Sequence, residues 1–132
     1  MDIKTLEDIC EAFLQNHPAL NDPDGALDGG CHHMSQLLCK EFPDTIARPL
    51  HVCGHRHTLP YRHPYWHEHS NPDAGFYHVV CCVADRFMVD MTYRQLDSHS
   101  DRAYRIQTRE EFMQSWWFAD YDVNVVEAYM MT

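Results

Sequence analysis

The sequence predicts an α+β domain in which helices pack on one antiparallel sheet. Two patterns carry this expectation. Apolar residues recur at helical spacing in two segments, 6–16 and 31–42, whereas residues 76–92 read as two β-rich runs joined by a short turn. Length supports a single unit: 132 residues make one domain and are short for two. The 45% hydrophobic fraction is enough for a core.

Taken in order, Thr5 and Asp8 resemble a capping box with Asp in place of Glu. Behind them Leu6, Ile9, Cys10, Phe13 and Leu14 share a helical face, which predicts a helix from Leu6 to Asn16, stopped before Pro18. Asn21 to Gly30 is rich in turn residues and reads as a loop. A second helix is expected from Cys31 to Phe42, with Cys31, Met34, Leu38 and Phe42 on one stripe and Pro43 as its stop. Thr45 to Cys53 reads as a strand, and Gly54 to Gly75 as a long insert loop rich in His, Pro and Tyr. Phe76–Val83 and Phe87–Thr92 form a hairpin around Ala84-Asp85-Arg86. A strand over Tyr104–Gln107 follows, then a helix from the Thr108/Glu111 capping box to Phe118, which carries Trp116 inward as core. Asp122–Met130 reads as a last strand.

Twenty acidic against ten basic side chains give a net charge of -10, a surface that repels phosphate backbones and anionic lipid. Nucleic acid and membrane partners are therefore not expected. No apolar run reaches the roughly 18–20 residues that span a bilayer, and the N-terminus lacks a secretory pattern, so a cytoplasmic location is expected. Cys10, Cys39, Cys81 and Cys82 sit in apolar segments, as small hydrophobes do, which implies a reducing compartment without a disulfide framework.

Cys31 is set differently. It follows Gly29-Gly30 and opens a helix, where unpaired N–H groups and the positive dipole end favour thiolate. The same amides suit an oxyanion, and Gly30 lets substrate approach. Taken alone, this setting favours a buried helix-start cysteine. His78 enters an otherwise apolar strand and needs a polar partner there. If the Ala84-Asp85-Arg86 turn leaves Val83 opposite Phe87, His78 and Asp90 fall diagonally on one sheet face. A turn of even length separates them, and Asp90 considered by itself reads equally as a solvated position or strand-end cap. A thiol that must lose its proton needs an imidazole to take it and a carboxylate to fix the tautomer. Cys31, His78 and Asp90 are thus the candidate triad.

The run His78-Val79-Val80-Cys81-Cys82-Val83-Ala84-Asp85-Arg86-Phe87-Met88-Val89-Asp90-Met91-Thr92-Tyr93-Arg94-Gln95-Leu96, together with Gly30-Cys31 and its helix, resembles bacterial papain-like and transglutaminase-like cysteine hydrolases. The resemblance covers Gly29 to Leu96 with a large unmatched insert. It implies a papain-like fold with the nucleophile at a helix N-terminus. It also implies hydrolysis of a carboxamide or peptide bond, without a cofactor, on a protein or peptide substrate. Members include proteases, acyltransferases and protein-glutamine deamidases that serve as bacterial effectors or toxins delivered into a target cell. The chain departs from papain in lacking a Gln shortly before the nucleophile, and Asn21 or a second backbone amide is the available substitute as oxyanion donor. Tyr65, Trp66 and Thr92 are the expected substrate contacts, while Arg94 and Gln95 read as braces for the Asp90 strand end.

The rival reading is a zinc-stabilised binding module. His51, Cys53, His55, His57, His63, His67 and His69 supply zinc-type ligands, but their spacing matches no finger, and no metal site is assigned. Stoichiometric zinc marks the module; labelling of Cys31 by a thiol reagent marks the enzyme.

Overall fold

In a computed structural model, residues 2–43, 46–54 and 76–118 are described. The chain runs through helix α1 (Ile3–Asn16), a 3-10 turn (Pro18–Asn21), α2 (Pro23–Gly29) and α3 (Cys31–Cys39). Strands β1 (Ala47–Gly54), β2 (Phe76–Val83) and β3 (Phe87–Asp90) follow, then a second 3-10 turn (Tyr93–Gln95), β4 (Arg105–Thr108), the short α4 (Arg109–Phe112) and β5 (Trp116–Phe118). The sheet has the order β4-β3-β2-β1-β5 and every pairing is antiparallel. The mixed α+β class holds. Among the described residues no helix is long and apolar enough to cross a membrane.

Local chemistry explains the element boundaries. α1 begins earlier than the apolar pattern suggests, because Asp2 is the cap: its Oδ1 accepts from the Thr5 N–H at 2.8 Å. Asp8, expected in a box with Thr5, instead pairs with Lys4 at 3.1 Å. The stretch expected as loop contains α2, with Asp22 as N-cap accepting from the Asp24 N–H at 2.9 Å and Pro23 in the first turn. Gly25 admits close packing here, since a Cβ at this position meets the Ala19 carbonyl oxygen at 2.0 Å. α3 ends at Cys39, shorter than expected, and Phe42 joins the core from the turn beyond it.

The two sheet faces carry different loads. On one, α1 and α3 bury Leu6, Phe13, Met34 and Leu38 against Cys81, Val83, Phe87 and Val89. On the other, Val52, Val80, Cys82 and Met88 pack with Leu96, Phe112 and Trp116. The alternation along β2 thus assigns odd positions to the helical layer and even ones, His78 included, to the second layer. α3 docks on β2 and β1, and Ser35 Oγ donates to the Val79 carbonyl at 3.1 Å.

The β2–β3 turn sets the register of the site. Val83 pairs with Phe87, Cys82 with Met88 and Cys81 with Val89, which is the odd-length case. Ala84 and Asp85 take φ of 57° and 52°, a left-handed conformation that L-residues with a Cβ resist. Ala84→Gly is expected to stabilise the protein by about 0.5–1 kcal/mol, read as a higher urea midpoint at unchanged m-value. A lower midpoint contradicts the left-handed assignment.

Beyond β4 the Thr108/Glu111 capping box forms as expected, with both reciprocal hydrogen bonds present. The helix behind it stops at Phe112, however, and Trp116–Phe118 pairs with Val52–Gly54 as an edge strand. Residues 119–132, where a last strand was expected, lie outside the described residues.

Candidate active site

Three elements converge at one end of the sheet. α3 contributes Cys31 from its first residue. Gly30 caps it with φ 75°, and nothing lies within 4 Å of a Cβ built there, so conformation and not space calls for glycine. Its carbonyl accepts the first helical bond, from the Met34 N–H at 3.0 Å. The Cys31 N–H is one of the helix-start amides that have no acceptor within the helix.

β2 contributes His78, which is completely buried. One ring nitrogen, Nε2, lies 2.7 Å from Asp90 Oδ2 at the end of β3. The Cys31 side chain hydrogen-bonds the same imidazole. With Nε2 committed to Asp90, Nδ1 is the ring nitrogen open to other partners. Cys31 is 3% exposed and Asp90 7%, so the three groups interact largely away from water.

The carboxylate is itself held. Thr92 gives Asp90 Oδ1 two donors, its N–H at 3.0 Å and its hydroxyl at 3.3 Å. Thr92 is 1% exposed, and what the structure shows of it is this support of the Asp90 carboxylate. Asn21 has a different engagement. Its Nδ2 donates to the Pro18 carbonyl at 3.2 Å within its own turn, and its carbonyl accepts from Arg94 Nη1. Tyr65 and Trp66 lie outside the described residues, as does the insert over 55–75. Of the histidines in the zinc reading, only His51 falls among the described residues, and no group of three metal-ligating side chains occurs among them.

Two functional neighbours exceed the sequence expectations. Gln95, expected as a brace, is buried and brings Nε2 to 2.9 Å from His78 Nδ1. Its carboxamide carries both a donor and an acceptor, so it suits the neutral ring through its N–H and the protonated ring through its oxygen. The signal that could have found it is its position one 3-10 turn beyond Thr92, whose carbonyl accepts the Gln95 N–H at 3.0 Å. Trp116, expected as helical core, stacks on the imidazole at 5.2 Å between centroids and 26° between planes. A cation over an indole face is favoured, which suits a charged ring.

Burial pulls the His78 pKa down, but the Asp90 carboxylate and the Cys31 side chain, by charge and by hydrogen bond, outweigh it. The group rises from its ordinary 6.5 to about 10. The charged imidazolium is therefore the favoured form of His78 near neutrality. The folded-state value exceeds the unfolded one, so the stabilisation from this cluster is fully present below about pH 6.5 and is lost as pH climbs through about 10. The gap in urea midpoint between the wild type and His78→Leu is expected to narrow across that window. A gap that stays constant over it rules out an imidazolium at this position.

Comparison of the chain with protein-family models, curated proteins and solved structures gives no match.

Proposed function

We propose that the protein is a cysteine-dependent hydrolase of papain-like fold, acting on a carboxamide or peptide carbonyl. The observation that carries this reading is a buried imidazole bonded to a carboxylate on one nitrogen and to a helix-start thiol as well. Such a set has one evident use. The Cys31 sulfur attacks the carbonyl carbon, and the carbonyl oxygen takes the negative charge, which the Cys31 N–H at the start of α3 stabilises. His78 passes its proton to the departing nitrogen, leaving a thioester on Cys31. It then takes a proton from water, which attacks the thioester and frees the acid and the thiolate. Asp90 holds Nε2–H throughout, and Gln95 keeps Nδ1 in register.

The slight exposure of Cys31 favours a slender acyl group, such as a glutamine side chain or an extended peptide, over a folded segment. A glutamine-directed deamidase or a small peptidase fits this best, with a protein or peptide as partner. The effector role rests on resemblance alone.

Intact-mass analysis of a panel of glutamine-containing proteins and peptides tests the reading. A gain of about one dalton marks an amide hydrolysed to an acid, and fragments mark proteolysis. If no substrate in the panel changes beyond a Cys31→Ala control, and iodoacetamide also fails to label Cys31 in the folded protein, the hydrolase reading falls.

A further inference from the structure

The helix that begins with Cys31 ends with Cys39, and there a second sulfur chemistry is laid out. Cys39 Sγ lies 2.9 Å from Sγ of Cys81, on the strand that carries His78. Non-bonded heavy atoms rest about 3.5–4.0 Å apart, whereas bonded sulfurs stand at about 2.0 Å. The two thiols are thus well inside ordinary contact and about 1 Å from a covalent bond. Their exposure is unequal. Cys81 is fully buried in the helical layer of the core, and Cys39 is half-buried at its margin. Cys39 is therefore the more accessible of the two residues, and Cys81 lies behind it in the core. We propose that Cys39 and Cys81 are a peroxide-sensing pair that closes into a reversible disulfide between α3 and β2.

The chemistry balances with hydrogen peroxide as oxidant. The Cys39 thiolate attacks one peroxide oxygen, the O–O bond breaks, and hydroxide leaves to become water, giving a sulfenic acid. The Cys81 sulfur then attacks Cys39 Sγ, the S–O bond breaks, and the hydroxyl leaves as water with the Cys81 proton. Two thiols lose two electrons to one peroxide, and two waters result. The electrostatics agree with this division of labour. The hydrogen bond from Cys81 holds the Cys39 thiol below its ordinary pKa, the character of the first sulfur to react. The same contact, with burial, pushes Cys81 up and keeps it a protonated resolving thiol.

Closure joins residues 42 apart in sequence and fixes the far end of the Cys31 helix to the His78 strand. The inference stands on this sulfur pair and does not depend on the hydrolase reading. It is tested by titrating the reduced full chain with hydrogen peroxide, blocking free thiols under denaturing conditions and mapping peptides without reduction. The expected product is lighter by two hydrogens, carries a Cys39–Cys81 linkage that dithiothreitol reverses, and melts at least about 5 °C higher. Cys39→Ser should abolish the linkage. Three results overturn the proposal: Cys39 advancing to sulfinic acid while Cys81 stays free, a linkage from Cys81 to Cys10 instead, or six thiols still free in excess peroxide.

Discussion

If the proposed hydrolase reading holds, Cys31→Ala is expected to lower the activity by roughly 10³–10⁶ fold, because a triad fails as a unit when its nucleophile goes. The fold should survive, since only one sulfur is lost at a helix start and the Gly30 cap is untouched. The change should reach beyond rate. Part of what raises the His78 pKa is the charge and hydrogen bond of Cys31, so the imidazole should titrate lower in the variant. Nitrogen NMR of a histidine-labelled sample reads this directly. Activity near wild type, or an unmoved His78 titration in Cys31→Ala, contradicts the arrangement described above.

Asp90→Asn is expected to cost about 10²–10⁴ fold in kcat, and Thr92 supplies the reason. Its N–H and hydroxyl both donate to Oδ1, so the substituted carboxamide must keep its oxygen on that side. The new NH2 then takes the place of Oδ2 and faces His78 Nε2 as a donor. The ring is driven to carry its proton on Nδ1, the nitrogen that should receive one from the thiol. Turning the amide over sets its NH2 against the two Thr92 donors instead. Thr92→Val in the Asp90→Asn background removes the hydroxyl donor and should recover part of the rate. If the single variant keeps full activity, Asp90 does not set the tautomer.

Much of this site was legible before any coordinates. The polar turn between two apolar runs implied a hairpin, which puts His78 and Asp90 on one face on the condition that Val83 stands opposite Phe87, the pairing observed. The Thr108/Glu111 box was legible because its partners are three residues apart. Trp116–Phe118 was misread as helix because a three-residue edge strand is set by pairing with β1, far away in sequence, and not by local pattern. α2 escaped notice because seven residues carry too little periodicity, although Asp22-Pro23 is a fair start signal. Gln95 and Thr92 took their roles from the tight turn after Asp90, which folds both back onto the dyad, a geometry that spacing alone does not give.

The site is also assembled from two very different lengths of chain. His78, Asp90, Thr92 and Gln95 belong to one continuous hairpin and the turn that follows it, whereas the sulfur arrives from a helix 47 residues upstream. Contacts between near neighbours in sequence cost little loop entropy and form early, while remote ones wait on the docking of whole elements. The base and its carboxylate can therefore be complete before the nucleophile is in place. The same asymmetry runs in reverse: a brief detachment of the helical layer separates the sulfur from the imidazole and leaves the hairpin dyad standing. Hydrogen exchange should then find the α3 amides opening at lower free energy than those of β2 and β3, which makes reactivity a property of helix docking and not of the hairpin that holds the base.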